Sequence, residues 1–280
     1  MATTTKAAAP AQKKQQKQGF GGIKNAFWII IICLIIAYAF YFLVLGSPDN
    51  FIGGDRSGNP ANLAGTVFKG GYVVGVIFTL LLTVICLSVE RFFALRTAFG
   101  TMSLPKFTLQ IKGLIKAGKF DEADVLCDKM KGSVANVVKA SIAAYRDVEH
   151  NNTMKKAQKI AKIQQAHEEA TQLEMPTLQM NLPIVATIVT LGTLTALFGT
   201  VCGMINSFQA LSSAGGADSV ALSAGISEAL VNTASGILTS WCAVVCYNFF
   251  TNKIDKLTYA LDEVGYTIAA TYDVNHTDEA

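Results

Sequence analysis

Charge is what this sequence has least of. Asp, Glu, Lys and Arg make up 15% of its 280 residues, where a soluble domain carries about 25%. The shortage is local. No charged residue occurs from Met175 to Ala217, over 43 positions, or from Ala229 to Asn252, over 24. Phe27–Leu45 and Gly71–Val89 are two further charge-free runs of 19 residues each. Crossing a bilayer takes roughly 20 apolar residues as a helix, and helix satisfies every backbone group in lipid. The fold class read from this pattern is all-α: a multi-pass membrane protein with four transmembrane helices.

Other absences narrow the function. Cys33, Cys86, Cys202, Cys242 and Cys246 fall in the apolar runs and Cys127 between them, so no disulfide framework is available in an outer loop. His150, His167 and His276 are isolated and lack the spacing of a zinc site. No nucleophile–base pair is visible. The expectation is no metal, no cofactor and no enzyme, and no strand alternation or internal repeat is found.

What charge there is carries a message. Of the 23 Lys and Arg residues, 21 lie before Phe27, between Glu90 and Asn181, or after Phe250; only Arg56 and Lys69 lie elsewhere. Positive residues favour the cytoplasmic side, so both termini are expected in the cytoplasm. The basic residues thus report topology and give no case for nucleic acid. The expected order is a disordered cytoplasmic N-terminus (1–26), spans at 27–45 and 71–89 joined by a periplasmic loop (46–70), and a helical cytoplasmic domain (90–181). A span at 182–210, a short loop (211–222), a span at 223–250 and a cytoplasmic tail (251–280) follow. The first span is read as retained, because Val44-Leu45-Gly46 is a poor signal-peptide cleavage site. Glu90 and Arg91 are read as closing the second span at the cytoplasmic face.

The last two spans differ from a helix that only sits in lipid. Thr193, Thr200 and Ser207 recur every seven residues, joined by Ala186, Ala196 and Gly203, with Gly199 beside them. In the fourth span Glu228, Asn232, Ser235, Thr239, Cys242 and Cys246 trace one face, flanked by Thr233, Gly236, Ser240 and Ala243. Small and hydroxylated residues face other helices or an aqueous path. Thr193, Gly199, Gly203, Ser207, Asn232, Gly236 and Ser240 are read as the helix-packing and partner interface. Glu228 has two readings, a working acid or a solvated residue at the outer mouth.

These residues carry a resemblance. Leu197-Phe-Gly-Thr-Val-Cys-Gly-Met-Ile-Asn-Ser-Phe, followed by Gly225-Ile-Ser-Glu-Ala-Leu-Val-Asn-Thr-Ala-Ser-Gly-Ile, resembles the ExbB/TolQ/MotA proton-channel family, and ExbB-type members most. The resemblance implies a homo-oligomer, a pentamer, in the inner membrane around a dimer of ExbD-like single-span subunits. Proton-motive force would be passed to a TonB-like protein that energises outer-membrane import. It also implies that Thr200 and Thr233 face the proton path, with Glu228 matching the family's acid. The chain departs from the pattern in having Gly192-Thr193 for Ala-Pro, Cys242 for Pro, and four spans where three are common. A TolQ- or flagellar-stator-type subunit, or a passive oligomeric membrane scaffold, is the alternative.

Overall fold

In the computed structural model, residues 26–56, 58–151, 153–213 and 219–276 are described. Residues 1–25 of the N-terminal stretch expected to be disordered, and residues 214–218 of the loop expected at 211–222, lie outside them. The described residues form nine α-helices joined by short connections: α1 Ala26–Phe40, α2 Leu63–Phe68, α3 Tyr72–Ala98, α4 Leu104–Lys116, α5 Phe120–Met130, α6 Gly132–Glu149, α7 Lys156–Gln179, α8 Leu182–Ser213 and α9 Ser219–Asn275. Four of these elements, α1 with the π-turn that extends it to Leu45, α3, α8 and α9, are long and apolar enough to cross a membrane. The protein is an all-α multi-pass membrane protein. Among the described residues the only β pairing is one isolated bridge, Phe51 to Pro60.

The membrane part is an α8–α9 hairpin with α3 packed on it and α1 packed on α3. α1 is held by aromatic contacts: the Tyr38 ring lies against Gly75, and the Tyr41 hydroxyl donates to the Phe68 carbonyl at 2.8 Å. Its outer face, including Phe27, Trp28, Ile32, Ile35 and Leu43, is exposed, as a lipid-facing surface should be.

The second core lies beyond the spans, where α4–α7 wrap the far half of α9. Phe250, Ile254, Leu257, Leu261, Val264, Ile268 and Tyr272 of α9 are all buried there. Their spacing of three and four residues is one helical stripe. The segment read from sequence as a tail from residue 251 is therefore continuous helix to Asn275, packed in this core.

α3 does not stop at Glu90–Arg91 but runs on to Ala98. The pair is buried at the joint of α3, α7 and α8, with Arg91 fully buried. Arg91 Nε donates to Glu90 Oε2 at 2.7 Å, Arg91 Nη1 to the Thr177 carbonyl at 3.2 Å, and Asn181 Nδ2 to Glu90 Oε2 at 3.2 Å. Thr177 lies in the last turn of α7, so the guanidinium sits where the helix leaves carbonyls unpaired and its dipole favours a cation. The pair read from sequence as closing the second span is thus an internal clasp within a longer helix.

Candidate functional site

The α8–α9 seam is built from small residues because two backbones come close there. A Cβ placed on Gly192 would lie 2.4 Å from Ser240 Oγ, one on Gly236 2.3 Å from Ala196 Cβ, and one on Gly199 2.6 Å from Asn232 Cγ. Gly203 meets Ala229, and Gly225 meets Ser207, as tightly. In each facing pair the two residue numbers add to 431–433, a single antiparallel register held over about four turns. A side chain larger than Ala at any of these glycines forces the helices apart.

At the centre of this register Thr200 and Thr233 meet, their hydroxyl oxygens 2.5 Å apart. Both are half-buried. Thr200 is also 2.9 Å from the Ala196 carbonyl, and Thr233 3.2 Å from that of Ala229. Each hydroxyl has one proton to give and two lone pairs to receive. Either Thr200 donates to Ala196 while Thr233 donates to Thr200, or Thr233 donates to Ala229 while Thr200 donates to Thr233. The pair can reverse direction without moving a heavy atom. That capacity, to donate and accept at one point, suits a place where a water or carboxylic acid hands on a proton.

Nearby groups have unused capacity too. Asn232, fully buried, donates to the Gly70 carbonyl at 2.9 Å and the Glu228 carbonyl at 3.1 Å. Its Oδ1 and the Ser240 Oγ are buried without a hydrogen-bond partner among the described residues. Ser207 is sealed in and donates to the Gly203 carbonyl at 2.9 Å.

Glu228 is placed apart from the threonines, at the start of α3. Its Oε1 would lie 2.6 Å from a Cβ on Gly71, the residue that caps the α3 N-terminus. The Asn206 side chain of α8 stands beside its carboxylate. A carboxylate there faces unpaired backbone N–H groups and the positive end of the helix dipole. This ties α3, α8 and α9 together at one end of the bundle.

Of the residues singled out by sequence, Thr200, Thr233, Gly199, Gly203, Ser207, Asn232, Gly236 and Ser240 all fall in the seam. Thr193 does not: it is exposed and its hydroxyl donates to the Thr190 carbonyl at 2.9 Å. Gly192, one residue earlier, is what meets Ser240. Gly192, Gly225 and Asn206 were missed. The available signal was the seven-residue spacing of Gly192, Gly199 and Asn206.

Residues 133–263, from α6 to the bundle half of α9, match the MotA/TolQ/ExbB proton channel family. This match covers a little under half of the chain. Thr200, Glu228 and Thr233 all fall inside it, while α1–α5 fall outside. The chain is similar to a Tol-Pal system protein TolQ of Pseudomonas aeruginosa, 38% identical over 80 residues, which are 29% of this chain and 35% of that protein. A biopolymer transport protein ExbB of Salmonella typhimurium is 37% identical over 79 residues, 28% of this chain and 32% of its own. A putative biopolymer transport protein ExbB-like 3 of Synechocystis is 37% identical over 87 residues, 30% and 41% respectively. The matched stretch spans about a third of the length of these relatives.

Proposed function

We propose that this protein is the multi-span subunit of an inner-membrane, proton-driven motor of the ExbB type. In this reading it forms a pentamer with both termini in the cytoplasm, surrounding a dimer of ExbD-like single-span subunits. The proton flux drives a TonB-like protein that energises outer-membrane import. The observation that carries the reading is the Thr200–Thr233 hydroxyl pair inside the family domain.

Among the described residues the spans hold no Asp, Lys or His between Gly71 and Val89, Leu182 and Ser213, or Ala229 and Asn252. A carboxylic acid on the partner then does the titrating, and Thr200 and Thr233 hold the water or the acid as it exchanges its proton. Each proton falling through about 100 mV delivers roughly 2.3 kcal/mol.

The test is reconstitution into vesicles with the single-span, acid-bearing subunit that co-purifies. Uptake of protons under an imposed potential is expected with the partner and lost when its intramembrane acid is neutralised. Equal uptake by this chain alone would overturn the division of labour, and no uptake with the partner present would leave the scaffold. A second reading, a TolQ-type subunit, is favoured by the likeness to a Tol-Pal system protein. The outer-envelope protein captured with the complex separates the two.

A further inference from the structure

A trough runs down one side of the molecule where the spans give way to the α4–α7 bundle. Its upper part, a cavity of about 200 Å³, lies between α3 and α9 and is lined by Phe92, Arg96, Phe99, Phe249 and Lys253. Its lower part, about 540 Å³, lies between α4 and α9, and Lys112, Lys256 and Tyr259 are among its lining. Phe99 and Lys253 belong to both parts, so the two are continuous.

The position of this trough along the membrane normal is set by charge. Lys253 is the first charged residue after the 24-residue run Ala229–Asn252, and Arg96 lies one to two turns beyond the 71–89 run on α3. Both therefore sit where the hydrocarbon ends and headgroups begin. Above them Phe92 and Phe249, each about half exposed, offer apolar faces within reach of acyl chains.

The charge in the trough is one-sided. Its lining acid, Glu263, is already paired with Lys112 at 2.6 Å. Arg96, Lys253 and Lys256 have no salt-bridge partner among the described residues; Lys253 Nζ stands 5.6 Å over the Phe249 ring. Three unneutralised cations beside an apolar cleft at headgroup depth are complementary to a phosphate attached to hydrocarbon.

We infer that the Arg96–Lys253–Lys256 trough binds an anionic phospholipid of the bundle-side leaflet, its phosphate between Arg96 and Lys253 and one acyl chain along Phe92 and Phe249. This rests on the membrane-spanning architecture and stands independently of the proton path. A lipid here bridges α3 and α9 at their exit from the membrane.

Native mass spectrometry of the purified assembly, titrated with phosphatidylglycerol or with phosphatidylcholine, tests the site. Phosphatidylglycerol is expected to be retained preferentially and to survive an excess of inorganic phosphate, which would displace a soluble-anion ligand. A basic residue near an anionic surface contributes about fivefold in affinity. Arg96→Gln with Lys253→Gln should thus weaken retention roughly 25-fold, and Lys253→Arg should keep it. Lys162→Gln with Lys159→Gln on α7 removes the same charge and should change retention less than twofold. Equal loss in the α7 variant, equal retention of both lipids, or full displacement by phosphate overturns the site. So does a fall in subunit number in the Arg96–Lys253 variant with lipid retention unchanged, since the face then belongs to a neighbouring copy.

Discussion

Thr200 on α8 and Thr233 on α9 point their hydroxyls at each other across a seam otherwise closed by glycines set against alanine, serine and asparagine. Valine keeps the shape of threonine and removes only that hydroxyl. Thr200→Val and Thr233→Val are therefore expected to abolish energised uptake while expression and assembly stay close to normal. An interhelical hydrogen bond in a membrane averages about 0.6 kcal/mol, too little to dismantle the hairpin. Thr187→Val is the control, since Thr187 is exposed and its hydroxyl donates locally to the Pro183 carbonyl at 2.8 Å. Proton uptake in vesicles, measured for all three, decides: if the seam variants match Thr187→Val, the hydroxyls are packing.

The glycines of the seam should behave oppositely to a glycine with open space. Gly236→Leu must push Ala196 and the Gly192 backbone away and is expected to prevent a folded, monodisperse assembly. Gly113, inside α4, has nothing within 4 Å of where a Cβ would be. Gly113→Ala should stabilise by about 0.5–1 kcal/mol, by restricting the unfolded chain and favouring helix. Size-exclusion profiles and thermal melts of the two variants check the contrast.

Gly71 combines two constraints, a φ of +76° and the Glu228 carboxylate against it. At φ +76° and ψ −172° the backbone of residue 71 is in an essentially glycine-only region, so Ala there adds strain of about 1–3 kcal/mol and a clash with that carboxylate. The Tm of the purified protein should drop by several degrees. Glu228→Gln keeps the shape and the contact with Asn206 but loses the charge at the α3 N-terminus, worth about 0.3–1 kcal/mol there. A Gly71→Ala protein that melts like the parent would remove Glu228 from the role of tying α3 to the hairpin.

Bundle stability should depend on pH through His167. Ser141 Oγ donates to the Val137 carbonyl at 2.9 Å and so receives the His167 Nδ1 proton at 2.8 Å. The other ring nitrogen is buried without a partner against Gly265. Burial holds the His167 pKa below its ordinary value, with Asp262 and Glu168 opposing. The unfolded chain thus takes up this proton first as pH falls below about 6.5, so the folded bundle loses stability on acidification, by at most about 1.4 kcal/mol per pH unit. Denaturation at pH 7.5 and 5.5 should show a smaller difference in His167→Gln than in the parent; an unchanged difference would assign the effect elsewhere.

The spans were legible because lipid imposes a length and a composition, and the seam because small residues recur at helical spacing. The partners across it were not. Gly192 and Gly225 matter only in an antiparallel register that no single-helix pattern states. Glu90 and Arg91 are neighbours in sequence, and adjacent residues on a helix point about 100° apart, so their ion pair was invisible; the α7 terminus that completes it lies some 86 residues away. The far half of α9 was the clearest signal left unread. Its stripe from Ile254 to Ile268 was present, but the return of charge at Lys253 reads as the end of a span.

That unbroken helix has a mechanical consequence. α9 runs 57 residues, from Ser219, past Glu228, to Asn275 inside the bundle, a rod of about 85 Å at 1.5 Å per residue. Thr233 divides it unequally, with about 63 Å of rod on the bundle side. A tilt of about 5° pivoting at the threonine pair would carry the far end through roughly 5 Å, about one helical turn. No proline interrupts the helix between Thr233 and Asn275. Any tilt that began at that hydroxyl pair would thus be geared up into a displacement that α4–α7, packed around the rod, would have to follow.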